Sequence, residues 1–225
     1  MNYLFKLGAL LLSLASGFQL ALAADTSDFT AAEVQLFVTP HLSGLTPPTR
    51  LNYLATRRGS LQSPFDDTAT LAISKEDGKT ISKVSYLSGA EKIELPPFPD
   101  MNGNPVLLHF LEREIREMKR LTGGSTNYYR KRIRMALATN PTVEKLTIMH
   151  QGKALNGTQI RISPYVDDPA RVRYEKFATR HYVMTLSPEI PGGIVSLHSE
   201  LRANDTTNDK TGLLWSETVS FKSQE

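Results

Sequence analysis

Two imidazoles and a carboxylate, His181, His198 and Glu200, lie in segments where apolar and polar residues alternate, the pattern of a strand that places every second side chain on one face. Centring the turn of Pro188 to Gly193 between Glu189 and Ile190 sets His181 opposite His198, Thr179 opposite Glu200 and Leu197 opposite Tyr182. Imidazole nitrogens and a carboxylate converging across two strands are ligand types that hold Zn²⁺. The same three residues also suit a polar, solvent-facing side of a sheet. Hydrolytic chemistry has its ingredients in Ser60, Ser88, Ser187, His150, His181, Asp66 and Asp167, but Gly-x-Ser-x-Gly, Ser-x-x-Lys and His-Glu-x-x-His are all absent. An envelope hydrolase or metal-dependent enzyme using His181 and His198 therefore stands as an alternative. No catalytic residue is assigned and no cofactor is expected.

The charges carry a different kind of chemistry. Between Glu112 and Arg134 eight basic residues face three acids, a local balance of +5. The whole chain is only +3, so the remainder is net acidic and the positive charge is concentrated in one stretch. Arg113, Arg116, Arg120, Arg130, Lys131 and Arg134 form a candidate docking face for an anionic envelope surface, lipid headgroups or an acidic partner. A solvated helix face with weak Glu112 to Arg116 and Arg113 to Glu117 pairs explains the same run. Nucleic acid is not an expected partner, because no nucleic-acid-binding motif is present.

These residues need elements to position them. Period-two segments at Arg50 to Arg57, Thr68 to Lys75, Thr80 to Leu87 and Glu91 to Leu95 predict an antiparallel meander, and Asp77-Gly78 predicts a two-residue hairpin with Leu71 opposite Val84 and Ala69 opposite Tyr86. Glu33 to Val38 fits a strand or a short helix. Asn104-Pro105 opens a helix whose Leu108, Leu111, Ile115 and Met118 recur at spacings of three and four and should face a core. Gly123-Gly124 stops it, and Ser125 caps a second helix with Tyr129, Ile133, Ala136 and Leu137 on its buried side, ending near Thr139. Strands return at Val143 to His150 and Gln159 to Ser163, and Asp167-Asp168-Pro169 introduces a short helix holding Tyr174 and Phe177. Tyr182, Met184 and Leu186 then face the same way as Val195, Leu197 and Leu201, and a polar loop from Asn204 to Thr211 precedes a last strand with Leu213, Trp215, Val219 and Phe221. The fold class is α+β, a curved antiparallel sheet around a central helical hairpin, in a single domain over residues 24–225.

Residues 1–23 read as a signal peptide: Lys6 closes a short basic start, a mostly apolar run spans Leu7 to Ala15, and Ala21-Leu22-Ala23 offers the small-x-small cleavage pattern. Gly17 and Gln19 interrupt the run, which is short for a membrane span of about 20 residues. The expected location is the periplasm, with cleavage near Ala23. Cysteine is absent, so disulfides, thiolate metal sites, a cysteine nucleophile and disulfide-miniprotein architectures are excluded, and 14 Gly and 13 Pro with 40% apolar residues exclude collagen.

The order of strands, central helix pair and strands behind a signal peptide resembles the periplasmic lipoprotein-carrier half-barrels of the LolA and LolB type. The runs Gly103 to Glu114 and Ser187 to Gly193 are similar to those of uncharacterised secreted proteins of Gram-negative bacteria. What the first resemblance implies is a curved sheet that wraps helices and shelters lipid. The expectation is a non-catalytic envelope protein binding lipid, lipoprotein or another apolar ligand, with Leu108, Leu111, Ile115, Tyr182, Met184 and Trp215 as candidate cleft-lining residues and the basic helical face as its dock. Each of the six has a plain core role as well. A scaffold or assembly partner is the remaining alternative.

Overall fold

The computed structural model describes residues 29–203 and 212–225, so the signal peptide reading and the Asn204 to Thr211 loop lie outside the described residues. Nine strands form one antiparallel sheet: β1 (Thr49–Arg58), β2 (Phe65–Glu76), β3 (Lys79–Tyr86), β4 (Phe98–Pro99), β5 (Thr142–His150), β6 (Lys153–Ile162), β7 (His181–Leu186), β8 (Ile194–Arg202) and β9 (Leu213–Gln224). Their order is β4-β3-β2-β1-β9-β8-β7-β6-β5. The sheet is curved and unclosed: β4 and β5 stand at its two ends, and the pairing of β1 with β9 joins the N-terminal and C-terminal halves at its centre. Three α-helices accompany it among the described residues: α1 (Ala31–Glu33), which runs into a π-helical turn Val34–Val38, α2 (Val106–Thr122) and α3 (Thr126–Thr139).

Local chemistry fixes the best-defined joints. Asp77 and Gly78 both take positive φ, as a type I′ turn requires, and Leu71 pairs with Val84 and Ala69 with Tyr86. Gln151 and Gly152 make a turn of the same sign between β5 and β6, although Gln-Gly is not among the usual hairpin pairs. Gly123 ends α2 in the left-handed conformation, and Ser125 Oγ accepts from the Tyr128 amide to start α3.

Two expectations are corrected. Glu91 to Leu95 is not a strand: Leu87 and Gly89 turn the chain at positive φ, a 3₁₀ turn covers Gly89–Glu91, and a single bridge joins Tyr86 to Ile93. In the β7–β8 hairpin His181 pairs with Glu200 and Val183 with His198, because the closed turn of Ser187 to Gly193 is followed by a bulge. This moves the partner by two residues and leaves every side chain on its face, so the match of apolar faces could not separate the two registers.

The larger difference is the orientation of α2. Leu108, Leu111 and Ile115 turn toward α1 and α3, where they border a shared groove, while the opposite side of α2 meets the sheet with Phe110, Arg113, Glu114 and Glu117. Only Met118 of the predicted stripe faces the sheet, its sulfur 4.0 Å from Arg180 Nη1. Arg113 Nη2 lies 2.6 Å from Glu91 and its Nε 3.6 Å from Glu217 on β9. Arg180 Nη2 lies 2.5 Å from Glu114, both fully buried, and the Arg180 guanidinium sits 4.7 Å over the Trp215 ring. Two further positions follow the strand period into the same interior: Arg57, in line with Leu51, Tyr53 and Ala55 on β1, and Glu217, between Trp215 and Val219 on β9.

Burial first, then the neighbouring Glu114 charge, pushes the Glu217 carboxyl up to about 8, against the opposing pull of Arg113, Arg180 and Arg57. Burial likewise raises Glu114. A carboxyl whose folded value lies above its unfolded one keeps a proton that the unfolded chain releases. Its contribution to stability is therefore full below the ordinary carboxylate range and is lost as pH rises toward about 8. The histidines held low, His41, His109, His181 and His198, slope the other way in part of that window, so the difference between variant and wild type is the useful readout. Urea midpoints of Glu217→Gln, relative to wild type, should rise steadily from about pH 5 to about pH 8. Parallel profiles would show that Glu217 does not titrate in this interval.

Candidate functional site

The groove on the far side of α2 is assembled by short-range rules. Thr30 and Glu33 form a reciprocal capping box that starts α1, and Thr30 Oγ1 also donates to the Leu137 carbonyl at 2.9 Å, tying α1 to α3. The turn at Gly123 brings α3 back beside α2. Between the three helices lies a solvent-connected groove of about 440 Å³. Leu108, Leu111, Ile115, Ile133 and Leu137 make its floor, and Phe29, Phe37 and Leu95 its sides. Phe29 and Phe37 are 50% and 39% exposed, large apolar rings left facing water. Glu33, Glu112, Arg130 and Arg134 stand at the rim.

Of the six candidate cleft residues, Leu108, Leu111 and Ile115 meet in this groove. Tyr182, Met184 and Trp215 are on the other side of α2, inside the sheet-facing core, where the Tyr182 hydroxyl lies 3.2 Å from that of Tyr165 and Trp215 Nε1 donates to Ser199 Oγ at 3.1 Å. The helix separates the two groups, so they do not line one cleft.

The candidate docking residues divide as well. Arg113 is interior, correcting its expected place on an exposed face: only 6% of it is accessible, and its partners are Glu91, Glu117 and Glu217. Arg116 and Arg130 share Glu112, at 3.2 and 2.9 Å, and Arg120 lies 2.5 Å from Glu117. Lys131 and Arg134 are exposed and make no ion pair among the described residues.

His181, His198 and Glu200 share the outer face of the sheet. His198 Nε2 is 3.7 Å from Glu200, whose carboxylate is also held by Arg202 at 2.7 Å, and His198 Nδ1 is 2.9 Å from Thr218 Oγ1. No group of three His, Cys, Asp or Glu side chains among the described residues is arranged to hold a metal ion. Ser88 Oγ bonds to Asp67 and Ser187 Oγ to the Asn156 carbonyl, and no serine hydroxyl bonds to a histidine among the described residues.

In the sequence Asp168 marks only the start of a short helix. It does accept from the Ala170 amide, but it also takes the hydroxyls of Tyr128 and Tyr174 and lies 3.0 Å from Arg132, fastening the Arg171–Phe177 turn to α3. No sequence spacing flags such a set, since its members come from separate segments.

Fold and site together define an α+β protein whose antiparallel sheet carries a helical hairpin with an apolar groove on its outer side. No protein-family model matches the chain, and no curated protein matches it. Among solved structures it is similar to the lipoprotein LppX of Mycobacterium tuberculosis, at 11% identity and a TM-score of 0.35, with 85% of this chain and 93% of that chain covered. A likeness at that level carries no argument about ligand or activity. Among the described residues no helix is long and apolar enough to cross a membrane.

Burial holds the His198 and His181 imidazoles below the ordinary histidine value, and Glu200 is what pulls both back up. In Glu200→Gln both histidines should titrate at lower pH than in wild type, as followed by NMR of the ring protons. Unchanged titrations would place Glu200 away from them in solution.

Proposed function

We propose that this chain is a non-catalytic protein of the periplasm that shelters an apolar ligand, a lipid or the acyl part of a lipoprotein, in the groove between α1, α2 and α3. In this reading the chain is exported by the signal peptide, cleaved near Ala23, and residues 24–225 act as one domain. The observation that carries it is the groove itself. A monomer normally hides surface of this kind, yet here Phe29, Phe37 and the Leu108 side of α2 border an open depression of about 440 Å³, a size suited to a small ligand. Each methylene moved from water into such a site contributes about 0.8 kcal/mol, so a long chain has a sufficient driving force without specific polar contacts. The uncommitted cations Lys131 and Arg134 lie on the same side and favour approach to an anionic envelope surface.

The exposed end strand β5 supports a second reading, an assembly partner, because Val143, Leu146 and Met149 remain accessible along it at the sheet's edge.

The groove reading is tested by filling it. Leu108 is half-buried on the groove floor, so Leu108→Trp should occupy the space at little cost to the fold. Wild-type protein should enhance the fluorescence of N-phenyl-1-naphthylamine on binding, Leu108→Trp should weaken that binding by about tenfold or more, and Tyr182→Phe, altered on the other side of α2, should bind as wild type. Equal binding by Leu108→Trp and wild type, or weakening by Tyr182→Phe alone, would move the site elsewhere.

A further inference from the structure

The outer side of α3 adds polar detail to the groove. Lys131, Arg134, Met135 and Ala138 fall at i, i+3, i+4 and i+7, a spacing that puts them on one helix face. With Glu33 they border a shallow depression of about 370 Å³. Glu33 and Arg134 also border the apolar groove, so the two cavities meet along these two side chains. One is walled mainly by aliphatic and aromatic carbon, and the other presents two exposed cations.

Most of the charged groups around the two cavities already have partners. Across both cavities Arg130, Lys131 and Arg134 face Glu33 and Glu112, three cations against two carboxylates. Glu112 is held by Arg116 and by Arg130, and Arg130 is further fixed by Asn127 at 2.8 Å. The Glu33 carboxylate accepts from the Thr30 amide at 2.9 Å and closes the α1 cap. Lys131 and Arg134 are left without an ion partner among the described residues; both border the shallow depression, and Arg134 borders the groove as well.

We propose that this pair of cavities is a composite site for a single-chain amphiphile with an anionic head, its hydrocarbon tail lying along Leu108, Leu111 and Ile133 and its head between Lys131 and Arg134. The inference rests on the groove reading and adds the ligand's charge to it. Arg134 offers a planar fork to a carboxylate or phosphate, and Lys131 offers a mobile point charge. The tail supplies affinity through burial, and the head supplies orientation and selectivity.

Three probes separate the two claims: hexadecanoate, hexadecyl phosphate and hexadecanol, each below its aggregation threshold, competing for a fluorophore bound to the full chain. Both anionic probes should bind about tenfold or more tighter than hexadecanol, and the preference should shrink as salt is raised. The double variant Lys131→Gln, Arg134→Gln should bind hexadecanol as wild type does but lose the preference for the anions. Equal binding of all three probes by wild type would overturn the head-group assignment while leaving the groove intact. A variant that weakens hexadecanol as much as the anions would overturn the assignment of these two residues. Failure of every probe to bind would overturn the groove reading itself.

Discussion

The structure depends on how α2 is seated. Most surface helices turn apolar residues to a sheet and charges to water, but here the sheet side carries Arg113, Glu114 and Glu117, met by Arg180 and Glu217 around the Trp215 ring. Buried ions and the protonated carboxyls among them give up their hydration, and their mutual attraction repays that only when geometry is good and partners are complete. Such a set is a weak source of net stability but a strong source of registry, since a small rotation of α2 would leave charges buried and alone. Once that side is fixed, the Leu108, Leu111 and Ile115 side has to point away from the sheet. There it meets α1 and α3, among which Leu111 and Ile115 are buried and Leu108 stays half-buried.

Seen from that constraint, the remaining elements have clear tasks. The β1–β9 pairing places Arg57 and Glu217 on one inner surface, bringing the two halves of the chain to the same cluster. The Asp168 set holds the segment before β7 against α3, and the Thr30 bond to Leu137 holds α1 there too. The groove is thus framed by three helices anchored separately. Lacking cysteine, the chain has no disulfide to brace these joints and uses packing, caps and ion pairs instead.

Much of this was legible in the sequence wherever the governing interaction is local. The Asp77-Gly78 hairpin, the Gly123 stop and the Ser125 cap follow from single-residue preferences, and each sits where those preferences put it. Leu108, Leu111 and Ile115 were recognisable as one face, but their spacing cannot say whether a sheet or another helix covers them. That is why Tyr182, Met184 and Trp215 were grouped with them although α2 stands between. Arg57 and Glu217 fall on the inward period of β1 and β9 but were not read as interior, because a charge at an apolar position reads as an interruption until its partner from another segment is known. The same non-locality separates Arg113, which is interior, from Lys131 and Arg134, which are free to act. The β7–β8 register was hidden for a different reason, since a two-residue displacement preserves every facing.

The apolar groove lies outside α2, between the helices, and not between α2 and the sheet. The most direct measurement is the anomalous scattering of bromine in crystals of the full chain grown with a terminally brominated hexadecanoate. The proposed occupancy of the groove predicts a bromine peak in contact with the groove floor near Leu111 and Ile133. A peak beside Trp215 on the sheet side of α2, or a groove closed by side chains with no bromine in it, would contradict the account.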